Sequence, residues 1–377
     1  MTTPGFSSSG SQGVSRLQPL SFTEIIGRTL AIYRQQFVLF MVLIAIVAVP
    51  VALLSTAASS SLADQFTVVV SRMGIDVNAL SNGDPAALDA LSNRLNDLAQ
   101  SDPQQLVQTF RGLINGFVVI VLVAIIGSLV QSVLVGSLLT YITSERILGR
   151  TATLSQAFSA VRSRWGTLTF GLVLFYGLLV LIIVGLALVF FACGLGLGVI
   201  AFMAIALGSF LTPVLTLEPV SASDGLGHSW RLGKARFWTL VGFQIVVVLI
   251  GLVVGFVLGE IGFLLSEYGS VTSATWIVFA FGTVATILVS PIPVIGYTVL
   301  YYDVRIRTEG LAEALQRVDR VDPRPGDVNP PLQIGVARFS GNDILNLAIL
   351  TVGVFILLLA YFAIVTSLGR ATTSFLR

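Results

Sequence analysis

Apolar residues in this chain fall in long blocks, broken by short polar intervals. A helix needs about 20 apolar residues to cross the hydrocarbon of a bilayer. Residues 37–57 form one such block and 117–143 a second. Residues 168–217 are long enough for two spans, and the glycine-rich stretch at 192–198 supplies the hairpin between them. Blocks at 239–265, 276–302 and 344–365 follow. The pattern predicts an all-α fold, a polytopic membrane helix bundle of about seven transmembrane helices.

Three polar intervals share one design. Residues 20–37, 153–168 and 221–238 each carry Ser or Thr at or next to their start (Ser21, Thr153 and Ser221), a favourable helix N-cap. An apolar stripe follows (Ile25, Ile26, Leu30 and Tyr33 in the first), then Arg, then an aromatic residue where the next apolar block begins. This reads as an amphipathic helix in the membrane interface. Two exits also match: residues 141–149 and 302–310 share Tyr, Arg five positions later and Gly eight positions later. The organisation predicted is three helical hairpins, each preceded by a cytoplasmic amphipathic helix, plus an appended C-terminal span. Residues 1–16 read as a disordered tail without the features of a signal peptide, and 17–310 as a six-span membrane domain. The interval 58–115 reads as an extracytoplasmic helical loop, with Asp84 capping a helix that starts at Pro85 and carries Leu88, Leu91, Leu95 and Leu98 on one face. It is either a cap on the hairpin ends or a docking surface for a protein partner. Residues 311–343 read as a cytoplasmic linker, proline-rich and loosely tethering, and 344–377 as the seventh span with a short external tail.

Composition agrees with lipid as the main solvent. Of 377 residues 55% are hydrophobic and only 11% charged, against about 25% charged in soluble domains. The net charge of +2 argues against a nucleic-acid partner. With the N-terminus inside, sixteen of the 21 basic residues fall in cytoplasmic segments, which predicts an N-terminus in the cytoplasm and an extracytoplasmic C-terminus.

Candidate chemistry is sparse. His228 is the single histidine, set among Arg231, Lys234 and Arg236, and reads as a surface residue. Cys193 reads as a filler within a span. No P-loop or metal-ligand spacing is present, so no catalytic, cofactor-binding or metal residue is assigned. Within the spans, Gln131, Gln244 and the Pro291–Pro293 break are candidates for a cavity, because broken helices line binding sites in transporters. Pro50 and Pro213 mark two further spans. Gly251, Gly255 and Gly259 repeat the GxxxG spacing of close helix packing. At the end of the sixth block, helical continuation pairs Asp303 with Arg307 and Arg305 with Glu309, worth roughly 0.2–0.5 kcal/mol per pair when exposed. Arg305 and Arg307, with Arg146 at the matching exit, are candidate contacts for anionic lipids.

Residues 17–37, with Leu20 to Phe37 at their core, and the exit at 301–310 carry a resemblance to a bacterial family, the membrane domain that accompanies glycerophosphoryl diester phosphodiesterases. The resemblance implies a six-helix integral membrane protein of the inner membrane. It does not imply the phosphodiesterase activity, since the catalytic barrel needs paired histidines and metal-binding carboxylates. The function expected is that of a non-catalytic membrane scaffold or accessory factor. The alternative is a transporter or lipid-handling protein with its cavity at the kinked sixth span.

Overall fold

The computed structural model describes residues 17–81, 84–101, 103–189, 195–266, 271–320, 322–328, 340–356 and 359. Among them the chain is helical, with no strands. Six helices are long and apolar enough to cross a membrane: Phe37–Arg72, Gln108–Ile147, Trp165–Ile183, Leu197–Leu217, Phe237–Leu265 and Trp276–Glu309. The chain is therefore an all-α polytopic membrane helix bundle. A seventh apolar helix, Gly341–Ile356, is shorter. The rest of the predicted seventh span, the tail at 1–16 and Cys193 lie outside the described residues.

The three amphipathic helices form where their caps predict. Helix α1 (Phe22–Gln35) starts at Ser21, whose hydroxyl accepts from the Glu24 N–H while Glu24 returns a bond to Ser21 N–H. The span helix α2 (Phe37–Arg72) follows after one turn residue. Beyond it, α3 (Val77–Ser81) and α4 (Pro85–Ser101) lead to α5 (Pro103–Val130), a π-helical turn at Gln131–Gly136 and α6 (Ser137–Ile147). In the second hairpin, α7 (Leu154–Arg162) is capped reciprocally by Thr153 and Gln156 and runs into α8 (Trp165–Val189). Helix α9 (Leu195–Met203), a second π turn at Ala204–Gly208 and α10 (Ser209–Leu217) return. In the third, α11 (Ala222–Ala235) is capped by Ser221 and leads to α12 (Phe237–Ser266). Helix α13 (Val271–Val289) and α14 (Pro291–Glu309) form the return, followed by α15 (Leu311–Arg317) and α16 (Gly341–Ile356).

Contacts divide the chain into two units. The first comprises Met1–Val42, Ser132–Gly255 and Leu288–Arg377; the second comprises Leu43–Gln131 and Phe256–Ile287. In the first unit, α6, α10 and α14 pack on one another. They are buried nearly all round: every residue from Ser137 to Glu145 is buried. The amphipathic helices cover this trio. Helix α1 packs on α14, α7 on α6, and α11 on α10, so each covers the exit helix of the hairpin before it, in a closed cycle. Part of each stripe is therefore spent on protein: Ile25 and Ile32 are buried, while Leu30 stays exposed. The expectation of helices lying only on lipid is corrected to that extent.

The return helix of each hairpin departs from α geometry once. Two carry π turns; the third is interrupted at Ser290, because Pro291 and Pro293 have no N–H to donate. The Tyr33 hydroxyl donates to the Leu288 carbonyl at 2.9 Å beside this interruption. Both matching exits end at a glycine with positive φ, Gly149 (77°) and Gly310 (62°), a conformation that favours glycine at a helix C-terminus.

In the second unit, α2 and α5 pack through small residues. A Cβ at Gly116 would meet Leu62, and one at Gly127 would meet Val51 at 2.6 Å. Asp84 caps α4 as expected, its carboxylate accepting from Ala86 N–H at 2.9 Å. Val70, Ile75 and Ala87 form a small core there, with Leu91 packed against it.

The GxxxG stripe is not a close-packing face among the described residues. A Cβ at Gly255 or Gly259 would meet nothing within 4 Å, and one at Gly251 only Val289 at 3.7 Å. Close approach occurs at Gly233, where a Cβ would strike the Ala206 carbonyl oxygen, and at Gly296, against the Phe243 ring. Backbone cannot yield as a side-chain tip does. Gly233→Ala should destabilise the protein by about 1–3 kcal/mol, while Gly255→Leu leaves the thermal midpoint in detergent unchanged; equal midpoints for the two variants would contradict this packing.

Candidate functional site

Each of the three exit helices brings a carboxylate into the interior of the first unit. Glu145 lies in the last turn of α6, nine residues after Gly136, Glu218 caps the end of α10 ten residues after Gly208, and Asp303 lies within α14. All three are buried, at 4%, 1% and 1% exposure. A buried charge must be paired or it costs several kcal/mol, and each has been given partners.

Glu218 anchors the most enclosed group. Its Oε2 lies 2.8 Å from His228 Nδ1, and His228 Nε2 lies 2.7 Å from Glu309 Oε1. The Tyr301 hydroxyl donates to Glu218 Oε1 at 2.6 Å. Arg305 donates from Nη1 to Tyr301 at 2.7 Å and to Glu218 at 3.2 Å, and from Nε to Glu309 at 2.5 Å. The two carboxylates balance Arg305 and His228 only when the imidazole is protonated. Burial alone would lower the His228 pKa, but hydrogen bonds from both carboxylates and their charges outweigh it, and the value is raised. With each ring nitrogen donating to a carboxylate, His228 has no lone pair to offer as a general base.

Asp303 holds the start of the chain. Its Oδ1 accepts from Leu20 N–H at 2.8 Å and from Arg307 Nε at 2.9 Å, while Arg307 Nη2 donates to the Leu20 carbonyl at 2.8 Å. Arg236 approaches the other oxygen at 3.9 Å. Glu145 accepts from Arg150 at 2.7 Å and from Arg324 at 2.9 Å. Arginines from the amphipathic segments also reach the exits of their own hairpins: Arg28 donates to the Ile147 carbonyl and Arg164 to the Thr216 carbonyl, satisfying helix C-termini.

The residues singled out from sequence are placed as follows. Both helical ion pairs form, Asp303 with Arg307 and Arg305 with Glu309. Arg307 is exposed but its partner Asp303 is buried. Arg305 is fully buried and spent on internal carboxylates, so its guanidinium does not face lipid. Arg146 faces the side-chain amide of Gln36, whose oxygen, in the orientation that satisfies both groups, accepts from Nε at 2.8 Å. Arg146 and Arg307 thus have different partners. Gln244 accepts a hydrogen bond from Tyr297. Pro291 opens α14 and is buried, and Pro293 follows it one residue later, half-buried. Gln131 begins the first π turn and belongs to the second unit. His228 is 2% exposed, which corrects its reading as a surface residue. The helix around it is basic on its outer side, but the histidine lies on the face turned to α10 and α14.

The linker is also corrected in part. Residues 322–328 lie against the exits: Pro325 is buried, and a Cβ at Gly326 would meet the Leu217 carbonyl oxygen at 2.7 Å. Helix α16 is pinned to α11 and α12 by Lys234 with Asp343 and by Trp238 Nε1 donating to Asn346 at 3.0 Å. No group of three or more metal-ligating side chains occurs among the described residues.

Reasoning from sequence missed Glu145, Glu218 and the role of His228. A signal was present. "VGSLLT" at 135–140 and "LGSFLT" at 207–212 are the same phrase, each ending a π turn and each followed by a single acid at the helix exit. No family model, no curated protein and no solved structure matches this chain.

The His228 proton is a stabilising one. Because the folded value is raised, this contribution is fully present below the unfolded histidine value and is lost as pH rises through the folded one. The thermal midpoint should fall as pH rises above the ordinary histidine value of 6.5 and through the raised folded one in the wild type, and change less in His228→Gln. His228→Leu should cost about 3–5 kcal/mol, since it leaves buried carboxylate uncompensated; a midpoint equal to wild type would show that the cluster is not needed for folding.

Proposed function

We propose that this protein is a non-catalytic integral membrane protein of the bacterial inner membrane, a scaffold or accessory factor whose charged end is a rigid plate. The observation that supports this reading is the mutual neutralisation of Glu218, His228, Arg305 and Glu309. Groups that hold one another so closely are poor candidates for a transported ion or a reacting substrate. The excess of Arg and Lys in the predicted inner segments supports a cytoplasmic position for this end, with the 58–115 segment outside. Kinship with the membrane domain that accompanies glycerophosphoryl diester phosphodiesterases belongs to the same proposal.

A second reading, a transporter or lipid-handling protein, draws on the irregular turn in every return helix, since π turns and broken helices occur often at functional sites. Thiol accessibility separates the two. In a Cys193→Ser background, Gln244→Cys should resist a small hydrophilic methanethiosulfonate reagent in native membranes, because its neighbours are Tyr297 and packed helix. Rapid labelling there would favour the transporter. In the same background, Ser92→Cys should react in intact cells and Arg317→Cys only after lysis; the opposite sidedness would overturn the orientation.

A further inference from the structure

The three interfaces between an exit helix and the next amphipathic helix are not closed alike. At one, Asp303 bonds Leu20 directly ahead of α1. At another, Glu218 grips His228 on α11. At the third, Glu145 makes no hydrogen bond or ion pair to α7; its partners are Arg150 and Arg324. A cleft takes the place of the missing bond. One chamber, about 260 Å³, is walled by Tyr141, Glu145, Arg164, Thr216 and the Arg324–Asp327 segment. A second, about 380 Å³, shares Tyr141, Glu145, Ala160 and Arg324 with it and extends to Arg150 and Gln156. These sizes lie near the lower end of small-molecule sites, about 300–1,000 Å³.

The charges around the cleft are uneven. Glu145 is held by Arg150 and Arg324, Asp322 by Arg150, and Asp327 by Arg320. Arg164 remains. Among the described residues no carboxylate is within ion-pair distance of it, and its side chain makes one hydrogen bond, from Nη1 to the Thr216 carbonyl at 3.2 Å. Glu218, which acts on it electrostatically, is already committed to His228, Tyr301 and Arg305. Arg164 is half-buried, and burial pulls its pKa below the ordinary guanidinium value. The Thr216 hydroxyl, in the same wall, has no partner. A guanidinium with free donors beside a cavity is suited to an oxyanion, which it can grip with paired hydrogen bonds.

We propose that this cleft binds a phosphate-type oxyanion, with Arg164 as its anchoring cation and the Arg324–Asp327 segment as its cover. The anion is either a free phosphate compound or the phosphomonoester headgroup of a lipid. Its group sits between Arg164 and Arg324, and its net negative charge replaces the contact that the other two interfaces make internally. The competing role for Arg164 is purely structural, as a cap on the C-terminus of α10, like Arg28 at Ile147. Binding measurements tell these apart.

The full chain in phosphatidylcholine nanodiscs would be titrated with inorganic phosphate, following the thermal midpoint. Separately, nanodiscs containing phosphatidic acid would be examined by native mass spectrometry for retained lipid. Saturable binding of either probe by wild type, weakened about tenfold or more in Arg164→Gln and unchanged in the exposed control Arg162→Gln, is the expected result. Response to phosphate identifies a soluble ligand, and retention of phosphatidic acid alone identifies a lipid. Ala160→Leu fills both chambers while keeping Arg164, and should fold with near wild-type stability and lose the same binding. The proposal is overturned if neither probe binds, if Arg162→Gln loses as much as Arg164→Gln, or if Ala160→Leu binds like wild type.

Discussion

A carboxylate placed inside a membrane helix bundle has to be neutralised where it stands, because neither lipid nor packed side chains can solvate it. Three such groups, Glu145, Glu218 and Asp303, sit where the three return helices leave the apolar layer. Their need for partners accounts for much of the surrounding structure. Asp303 draws the start of α1 down onto α14 through Leu20. Glu218 turns the histidine face of α11 inward and orders Tyr301 and Arg305 on α14. Glu145 fixes Arg150 beyond Gly149 and catches Arg324 from a segment far along the chain. Two of the three amphipathic segments, those of α1 and α11, are held to the bundle by buried carboxylates as well as by apolar contact.

The same constraint explains the cyclic arrangement. A hairpin inserted alone would keep only local partners for its acid, Arg150 for Glu145 and Arg307 for Asp303, and would lose those that come from other segments, Arg324, Leu20, Tyr301 and Arg305 among them. Each amphipathic helix covers the preceding exit, and α1 closes the cycle on α14. The irregular turns fit this scheme. A π turn adds a residue and so rotates all that follows by roughly a quarter turn relative to the helix before it. Below the turn the helix keeps one buried face; above it α6 is buried on every side. In the third hairpin proline does the comparable work, with Tyr33 supplying a donor beside the interruption.

What sequence made legible followed from local rules. Spans come from apolar length, the starts of α1, α7, α11 and α4 from Ser21, Thr153, Ser221 and Asp84, and the paired charges of α14 from a spacing of four. The glycine termini at 149 and 310 are local as well. What failed depends on long-range contact. His228 looked solvated because its helix is basic, yet the two acids that bury it lie 10 and 81 positions away. The Gly251, Gly255 and Gly259 spacing is a real sequence feature, but among the described residues no helix comes close to it; Gly233 and Gly296, without any motif around them, are where backbones and rings crowd. The proline-rich linker has no periodicity of its own, and its docked part is placed by Arg324 and Asp327, whose partners no local pattern announces.

The three interfaces also divide stability from adaptability. Where Asp303 and Glu218 bond their neighbours directly, opening the interface would strip partners from buried charge, and the barrier to motion is correspondingly high. Around Glu145 the partners are Arg150 and Arg324, both on segments outside the span helices, and Arg324 is half-exposed. Moving residues 322–328 would still leave Glu145 with Arg150 as counter-ion. Among the three, this interface can therefore change with the smallest electrostatic loss. It also has open volume and a cation with no carboxylate among the described residues within ion-pair distance. A molecule that must hold its spans rigidly while sensing or seating something at its charged end would concentrate its flexibility in one such place, and the distribution of buried charge marks the α6–α7 boundary as that place.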